Sequence, residues 1–209
     1  MDLPGFGEAR LAPGEQAPWA DVLRKMNELS IERAALIGNS FGGAVALRAA
    51  VVAPGRVSAL ALISAPPPAL EPSPELAAAW EAEEAALQRG DIEAAVAAVV
   101  DAWTLPDASP ELRGRVAAMQ RRAFALQAEA PSMTEARDPV EQRPETLRRL
   151  SVSTLVAAGE LDKRDFRQGA EAIARTLPHA RHAVIEGAGH LAPLETPEAF
   201  RELVLAFLR

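Results

Sequence analysis

Cysteine is absent from the 209 residues. That excludes disulfides, thiolate metal sites and a cysteine nucleophile together. Tyrosine is absent as well, so no phenol can serve as acid, base or oxyanion donor. Histidine is scarce, occurring only as His179, His182 and His190. Without thiolates, and with so few scattered imidazoles, zinc finds no ligand cluster, and no metal or organic cofactor is expected. A basic excess is also missing. Lys+Arg total 22 against 29 Asp+Glu, a net charge of −7. A nucleic-acid partner is therefore not expected, because nothing is there to displace counterions from a phosphate backbone. Lysine occurs only at Lys25 and Lys163, a compositional bias toward arginine with no functional weight. Long hydrophobic runs are lacking too. The stretches near 34–47 and 57–70 are broken by polar residues or prolines and fall short of a membrane span. The first residues mix acids with glycine and proline and form no apolar targeting core. No membrane partner is expected, and the expected compartment is the cytoplasm.

What is there suits a globular α/β chain. Hydrophobic residues make up 49%, enough to build a core. Residues 1–64 alternate helix-like and strand-like segments. A polar helical pattern at 17–29 precedes a short apolar run at 33–37. A helix with small residues on one face follows at 41–53, then an apolar strand at 57–64. Strand, helix, strand in this order implies a right-handed crossover and a parallel sheet. Both apolar runs read as strands buried on two faces.

Residues 65–150 differ. They open on Pro66-Pro67-Pro68, no good strand follows, and helices are expected near 74–89, 92–103 and 110–129. Ser73-Pro74-Glu75 and Ser109-Pro110-Glu111 each offer a capping hydroxyl, a proline at the first helical position and an acid in the first turn. Trp80, Trp103, Met119, Phe124 and Met133 read first as packing between these helices, with a ligand-facing surface as the alternative. Residues 151–209 return to alternation: strand 152–158, helix 166–177, strand 182–186, and a last helix through Leu208 with Thr196 as its cap. The organisation is a helical segment, 65–150, inserted between two α/β parts, 1–64 and 151–209.

Gly38-Asn39-Ser40-Phe41-Gly42 follows a strand and opens a helix, the context that the G-x-S-x-G pattern requires. Flanking glycines let the chain turn sharply and expose the Ser40 hydroxyl. The helix start aims the Phe41 N–H and the positive dipole end at the same spot, an oxyanion-hole geometry. The bland alternative is a serine that caps the helix. Serine is a poor nucleophile without a base. His190 stands in Gly187-Ala188-Gly189-His190, directly after the last strand, and is the candidate base. Surface or edge positions account for His179 and His182. The base needs a carboxylate to hold its tautomer. Asp162, in Gly159-Glu160-Leu161-Asp162, is the candidate, with Glu160 and Asp165 as rivals on the same loop.

The order Ser40, Asp162, His190 matches the α/β-hydrolases, and the chain resembles that superfamily over nearly its full length. The resemblance rests on GNSFGG, GELD, GAGH and the helical insert, with Asp2-Leu3-Pro4-Gly5-Phe6-Gly7 similar to the loop after the fourth strand of the fold. It implies Ser40 as nucleophile, His190 as base, Asp162 as orienting acid and the Phe41 N–H as one oxyanion donor. It also implies an α/β-hydrolase fold with a parallel sheet flanked by helices and a helical cap. GNSFGG is similar to the elbow of meta-cleavage-product hydrolases, which break carbon–carbon bonds. GHLAPLETPEAF looks more like esterases and enol-lactone hydrolases. In that alignment the first four strands and the loop carrying the second oxyanion donor are missing from this sequence. The strand bearing Ser40 is then a bare sheet edge, and association through it, as in a homodimer, is expected. The expected function is hydrolysis of a small ester, lactone or similar carbonyl substrate. The alternatives are C–C hydrolysis, with Arg121 and Arg122 as candidate clamps for a keto acid, and a truncated, non-catalytic fragment.

Overall fold

The computed structural model describes residues 1–130 and 132–209. In chain order the elements are β1 (Gly14–Gln16), α1 (Pro18–Glu28), β2 (Ala34–Asn39), α2 (Phe41–Val52), β3 (Val57–Ile63), α3 (Pro74–Gln88), α4 (Ile92–Trp103), α5 (Pro110–Ala128), β4 (Met133–Glu135), α6 (Pro139–Gln142), β5 (Thr154–Gly159), α7 (Arg164–Thr176), β6 (Ala180–Ile185), α8 (Ala192–Glu195) and α9 (Pro197–Leu208). Short 3-10 helices stand at Pro54–Arg56 and Pro144–Arg149. The chain forms two compact units. One joins Met1–Gln16 to Pro72–Ala136, and the other joins Ala17–Glu71 to Arg137–Arg209.

The second unit is built on a parallel four-stranded sheet in the order β2-β3-β5-β6. Every residue of β5 is buried, and the C-terminal half of β3 is as well. These strands have a partner on each side, which explains their mostly apolar sequence. β2 behaves differently. It lies at the outside of the sheet among the described residues, and its residues alternate between exposed and partly covered up to Gly38. The expectation of burial on both faces thus holds for β3 and fails for β2, because an outer strand is covered less completely. The core gathers Leu47, Val57, Leu60 and Leu62 with Val140, Val156 and Ile173 from α6, β5 and α7. A second cluster, around Ile63, Ala157, Ile185 and Ala188, packs against Phe200 and Leu203 of α9.

The small residues of α2 have a packing reason. A Cβ on Gly43 would stand 2.7 Å from the Ala65 Cβ, so the helix lies close against the residues after β3. Arg48 on α2 donates to the Asp138 carboxylate at 2.7 Å, and Asp138 in turn accepts from the Val140 N–H at 2.8 Å at the start of α6.

The first unit is helical. Ser73 and Ser109 accept the Leu76 and Leu112 N–H groups, as expected of N-caps. Gly90, at φ 71°, closes α3: its N–H reaches Leu87 O and the Asp91 N–H reaches Ala86 O. Asp91 then caps α4 through Ala94 N. Of the five large side chains expected between helices, Phe124 is buried, whereas Trp80, Met119 and Met133 are exposed. The structure adds a parallel pair that the sequence pattern did not suggest, β1 with β4, and so brings residues 1–16 into this unit. Arg122 supports the same segment by donating to Gly7 O, and Arg10 pairs with Glu129. Thr196 does not cap α9. Its hydroxyl lies 3.5 Å from Ala192 O, back along the chain.

Candidate active site

The carboxyl ends of the parallel strands are where such sheets gather their chemistry. β2 ends at Asn39, and Ser40 follows as the turn into α2. The Ser40 backbone sits at φ 51° and ψ −123°, a conformation that L residues rarely adopt and that costs about 1–3 kcal/mol. The turn is held on both sides. The Ser40 N–H donates to Ile63 O at 2.8 Å, and its carbonyl accepts from Gly43 and Ala44 at 2.9 and 3.1 Å. Because of this twist the side chain makes no cap to the helix. The glycines on either side of Ser40 are not equivalent. A Cβ on Gly38 would lie 2.2 Å from Gly42 O, whereas one on Gly42 would meet nothing within 4 Å. Close approach at Gly38, rather than at both glycines, makes the turn possible.

The Ser40 hydroxyl meets His190 Nε2 at 2.8 Å. His190 Nδ1 lies 3.0 and 3.2 Å from the two carboxylate oxygens of Asp162. His190 and Asp162 are both buried. An ionised carboxylate can only accept, so Nδ1 of the neutral ring carries the proton and donates to Asp162. Nε2 is then left to accept from the serine hydroxyl. The Phe166 ring stands against the imidazole with centroids 4.3 Å apart, which covers one side of it.

The loops that carry these groups are tied together. The Leu161 N–H donates to Ala188 O at 2.8 Å, and Glu160 accepts the Gly187 N–H at 3.0 Å. Gly159 permits that contact, because a Cβ there would fall 2.1 Å from Gly189 O. Of the three acids weighed on the β5 loop, Asp162 is the one on the imidazole. Glu160 serves the backbone instead, and Asp165 lies in the first turn of α7. Phe41 opens α2 directly after Ser40. His179 and His182 are exposed and lie before and within β6, away from this network. Arg121 and Arg122 are engaged elsewhere in the first unit. Arg121 forks onto Glu93 at 2.7 Å for both nitrogens and holds that carboxyl below its usual range, and Arg122 reaches Gly7 O and Glu8. Three site neighbours escaped the sequence reading: Phe166, Asn39 and Glu195. Asn39 sits inside the elbow itself, and Glu195 follows His190 by five residues, so only the loop geometry could single them out.

A groove of about 630 Å³ on the second unit, lined by Pro67, Val140, Leu147, Ile173 and Leu177, includes none of Ser40, Asp162 or His190. Among the described residues no group of acids and histidines is arranged to hold a metal ion, and no helix is long and apolar enough to cross a membrane.

A family model described as the alpha/beta hydrolase family matches residues 1–203. Among curated proteins, the chain is 35% identical over 186 residues to polyketide synthase ThaQ of Burkholderia thailandensis, covering 84% of the chain and 8% of that protein. It is 28% identical over 213 residues to 2-hydroxymuconate semialdehyde hydrolase of Pseudomonas putida, covering 99% of the chain and 75% of the relative. Among solved structures, the enol-lactonase from Burkholderia xenovorans LB400 superposes with a TM-score of 0.78 at 25% identity, over 99% of this chain and 77% of that one. The chain therefore spans a small fraction of the first relative and about three quarters of the other two.

Proposed function

The chain belongs to the alpha/beta hydrolase family, and from that premise we propose that it is a serine hydrolase acting on a small ester, lactone or similar carbonyl substrate through an acyl-enzyme. The observation that carries this reading is the unbroken line of hydrogen bonds from the Ser40 hydroxyl through His190 to Asp162. In the proposed reaction His190 Nε2 takes the Ser40 proton as Oγ attacks the carbonyl carbon. The carbonyl π electrons move to oxygen, and the Phe41 N–H at the start of α2 meets that oxyanion; one such donor is worth about 3 kcal/mol. Asp162 stabilises the imidazolium without taking its proton. The intermediate collapses, the bond to the leaving group breaks, and His190 returns the proton to the departing oxygen. A water molecule, deprotonated by His190, then attacks the acyl carbon. The acid leaves and Ser40 regains its proton. The strained Ser40 backbone supports the same reading, since such strain gathers where a nucleophile must be held out from the fold.

A second reading is C–C hydrolysis, favoured by the likeness to 2-hydroxymuconate semialdehyde hydrolase. The pairing of Arg121 with Glu93 and of Arg122 with the Gly7 carbonyl weighs against the cationic clamp that reading needs.

The test is covalent labelling with an alkyl fluorophosphonate, read by intact mass, beside Ser40→Ala. One adduct on the parent and none on the variant supports the reading; no adduct on folded parent protein overturns it. Rates on aryl esters, lactones and a meta-cleavage dienoate then separate the two substrate classes.

A further inference from the structure

The loop that carries His190 contains Gly187 and Gly189, and glycines give a backbone freedom that a catalytic base cannot tolerate. The structure holds this loop by side chains from two directions. The Glu195 carboxylate accepts the Gly189 N–H at 2.8 Å and the Leu191 N–H at 3.1 Å, both on the same oxygen. Asn39 Nδ2 donates to the His190 carbonyl at 3.2 Å. The His190 carbonyl and the Leu191 N–H are the two ends of one peptide unit. That unit is therefore gripped at both edges, by an amide on one side and a carboxylate on the other. Asn39 also immediately precedes Ser40. Neighbouring residues of the elbow thus bond to the two ends of His190: Ser40 to its ring, Asn39 to its main chain.

We infer that Glu195 and Asn39 are positioning residues that set the His190 backbone so that Nε2 faces the Ser40 hydroxyl. The inference rests on the serine-hydrolase reading. Glu195 is the stronger of the two, because bonds to two amides hold more firmly than one bond. Neither residue touches the reacting atoms. Their effect passes through the orientation of the imidazole, and displacing a catalytic group by about 1 Å costs on the order of a hundredfold in rate.

The test compares the parent with Glu195→Ala, Glu195→Gln and Asn39→Ala. The readouts are the fluorophosphonate labelling rate, kcat and KM on an aryl ester, and amide exchange at Gly189 and Leu191. In Glu195→Ala, labelling and kcat fall about 10- to 100-fold, as for other outer partners of catalytic groups. KM stays within about twofold, because substrate binding is untouched. Exchange at both amides accelerates. Glu195→Gln restores most of the rate, since its amide oxygen accepts the same two N–H groups. Asn39→Ala loses rate in the same manner but less, and it carries the kinetic test if Glu195→Ala fails to fold. Labelling of the variants at the parent rate, a loss confined to KM, or a glutamine variant as slow as the alanine one overturns the positioning role alone. Unchanged exchange at Leu191 in folded Glu195→Ala does the same. A parent that takes no adduct instead overturns the hydrolase reading and the inference with it.

Discussion

Ser40 of the sheet unit and Ser73 and Ser109 of the helical unit all stand at helix N-caps, and they do different things. Ser73 and Ser109 have extended backbones, with φ near −60°, and their hydroxyls accept a main-chain N–H three residues on. Ser40 has φ 51°, and its hydroxyl leaves the helix for His190. One residue type at one formal position is a structural cap in the first case and a candidate nucleophile in the second. The backbone decides which. An extended approach folds the hydroxyl back over the helix end, whereas the sharp turn after β2 throws it outward to the loops of β5 and β6.

The largest expected effects fall on the Ser40 side of this comparison. Ser40→Ala abolishes fluorophosphonate labelling and lowers ester turnover by roughly a millionfold, the scale seen when a triad serine is removed. Its melting temperature stays close to the parent's, because no cap bond is lost. Asp162→Asn leaves the fold intact and lowers kcat by about ten-thousandfold, because an amide favours the wrong imidazole tautomer. Steady-state rates beside thermal melts check both, and a Ser40→Ala protein that melts far below the parent would mean that Ser40 is a structural residue after all.

The next effect separates the glycines on either side of the nucleophile. Gly38→Ala sets a Cβ 2.2 Å from Gly42 O, where only main chain can move. A cost of about 3 kcal/mol or more is expected from overpacking against fixed backbone. Gly42→Ala meets nothing within 4 Å and changes stability by less than about 1 kcal/mol. Denaturant titration of the two variants distinguishes them. Equal losses would show that the turn, rather than the close approach, is what demands glycine.

Much of this arrangement can be read from the sequence, for physical reasons. The runs of β3 and β5 are mostly apolar because both strands are sandwiched, and the Ser-Pro-Glu starts of α3 and α5 carry their own capping chemistry. Ser40, Asp162 and His190 stand out in the sequence because each falls in the loop after a strand, Ser40 at once and the other two within five residues, although Glu160 and Asp165 compete with Asp162 there. What escapes the sequence depends on distance in space. Glu195 looks like an ordinary acid before a helix, and nothing in its neighbours says that it holds two amides of the preceding loop. Asn39 looks like the variable position of the elbow. β1 and β4 are three residues each, too short for any alternation to register. The large side chains of the helical unit misled in the other direction, since hydrophobicity alone does not say which face of a helix is covered.

The smallest effects lie among the caps themselves. Ser73→Ala and Ser109→Ala each lower stability by about 1 kcal/mol, the worth of one N-cap bond, and leave labelling at Ser40 unchanged. Thr196-Pro197-Glu198 has the same hydroxyl-Pro-Glu pattern as the starts of α3 and α5, with Thr in place of Ser, yet it sets the sharper test. Thr196 follows α8 directly, and its N–H completes that turn by donating to Ala192 O at 3.0 Å. Its backbone, at φ −133° and ψ 62°, therefore closes one helix before it can open the next. The hydroxyl points back to the same carbonyl at 3.5 Å, too long to contribute much. Thr196→Ala is then expected to cost less than about 0.5 kcal/mol, within the range of ordinary surface substitutions. Chemical denaturation of the three alanine variants side by side decides the matter. A Thr196→Ala loss equal to that of Ser73→Ala would mean that the Pro-Glu pattern governs capping by itself, whereas a near-zero loss means that the backbone entering the helix governs it, as at Ser40.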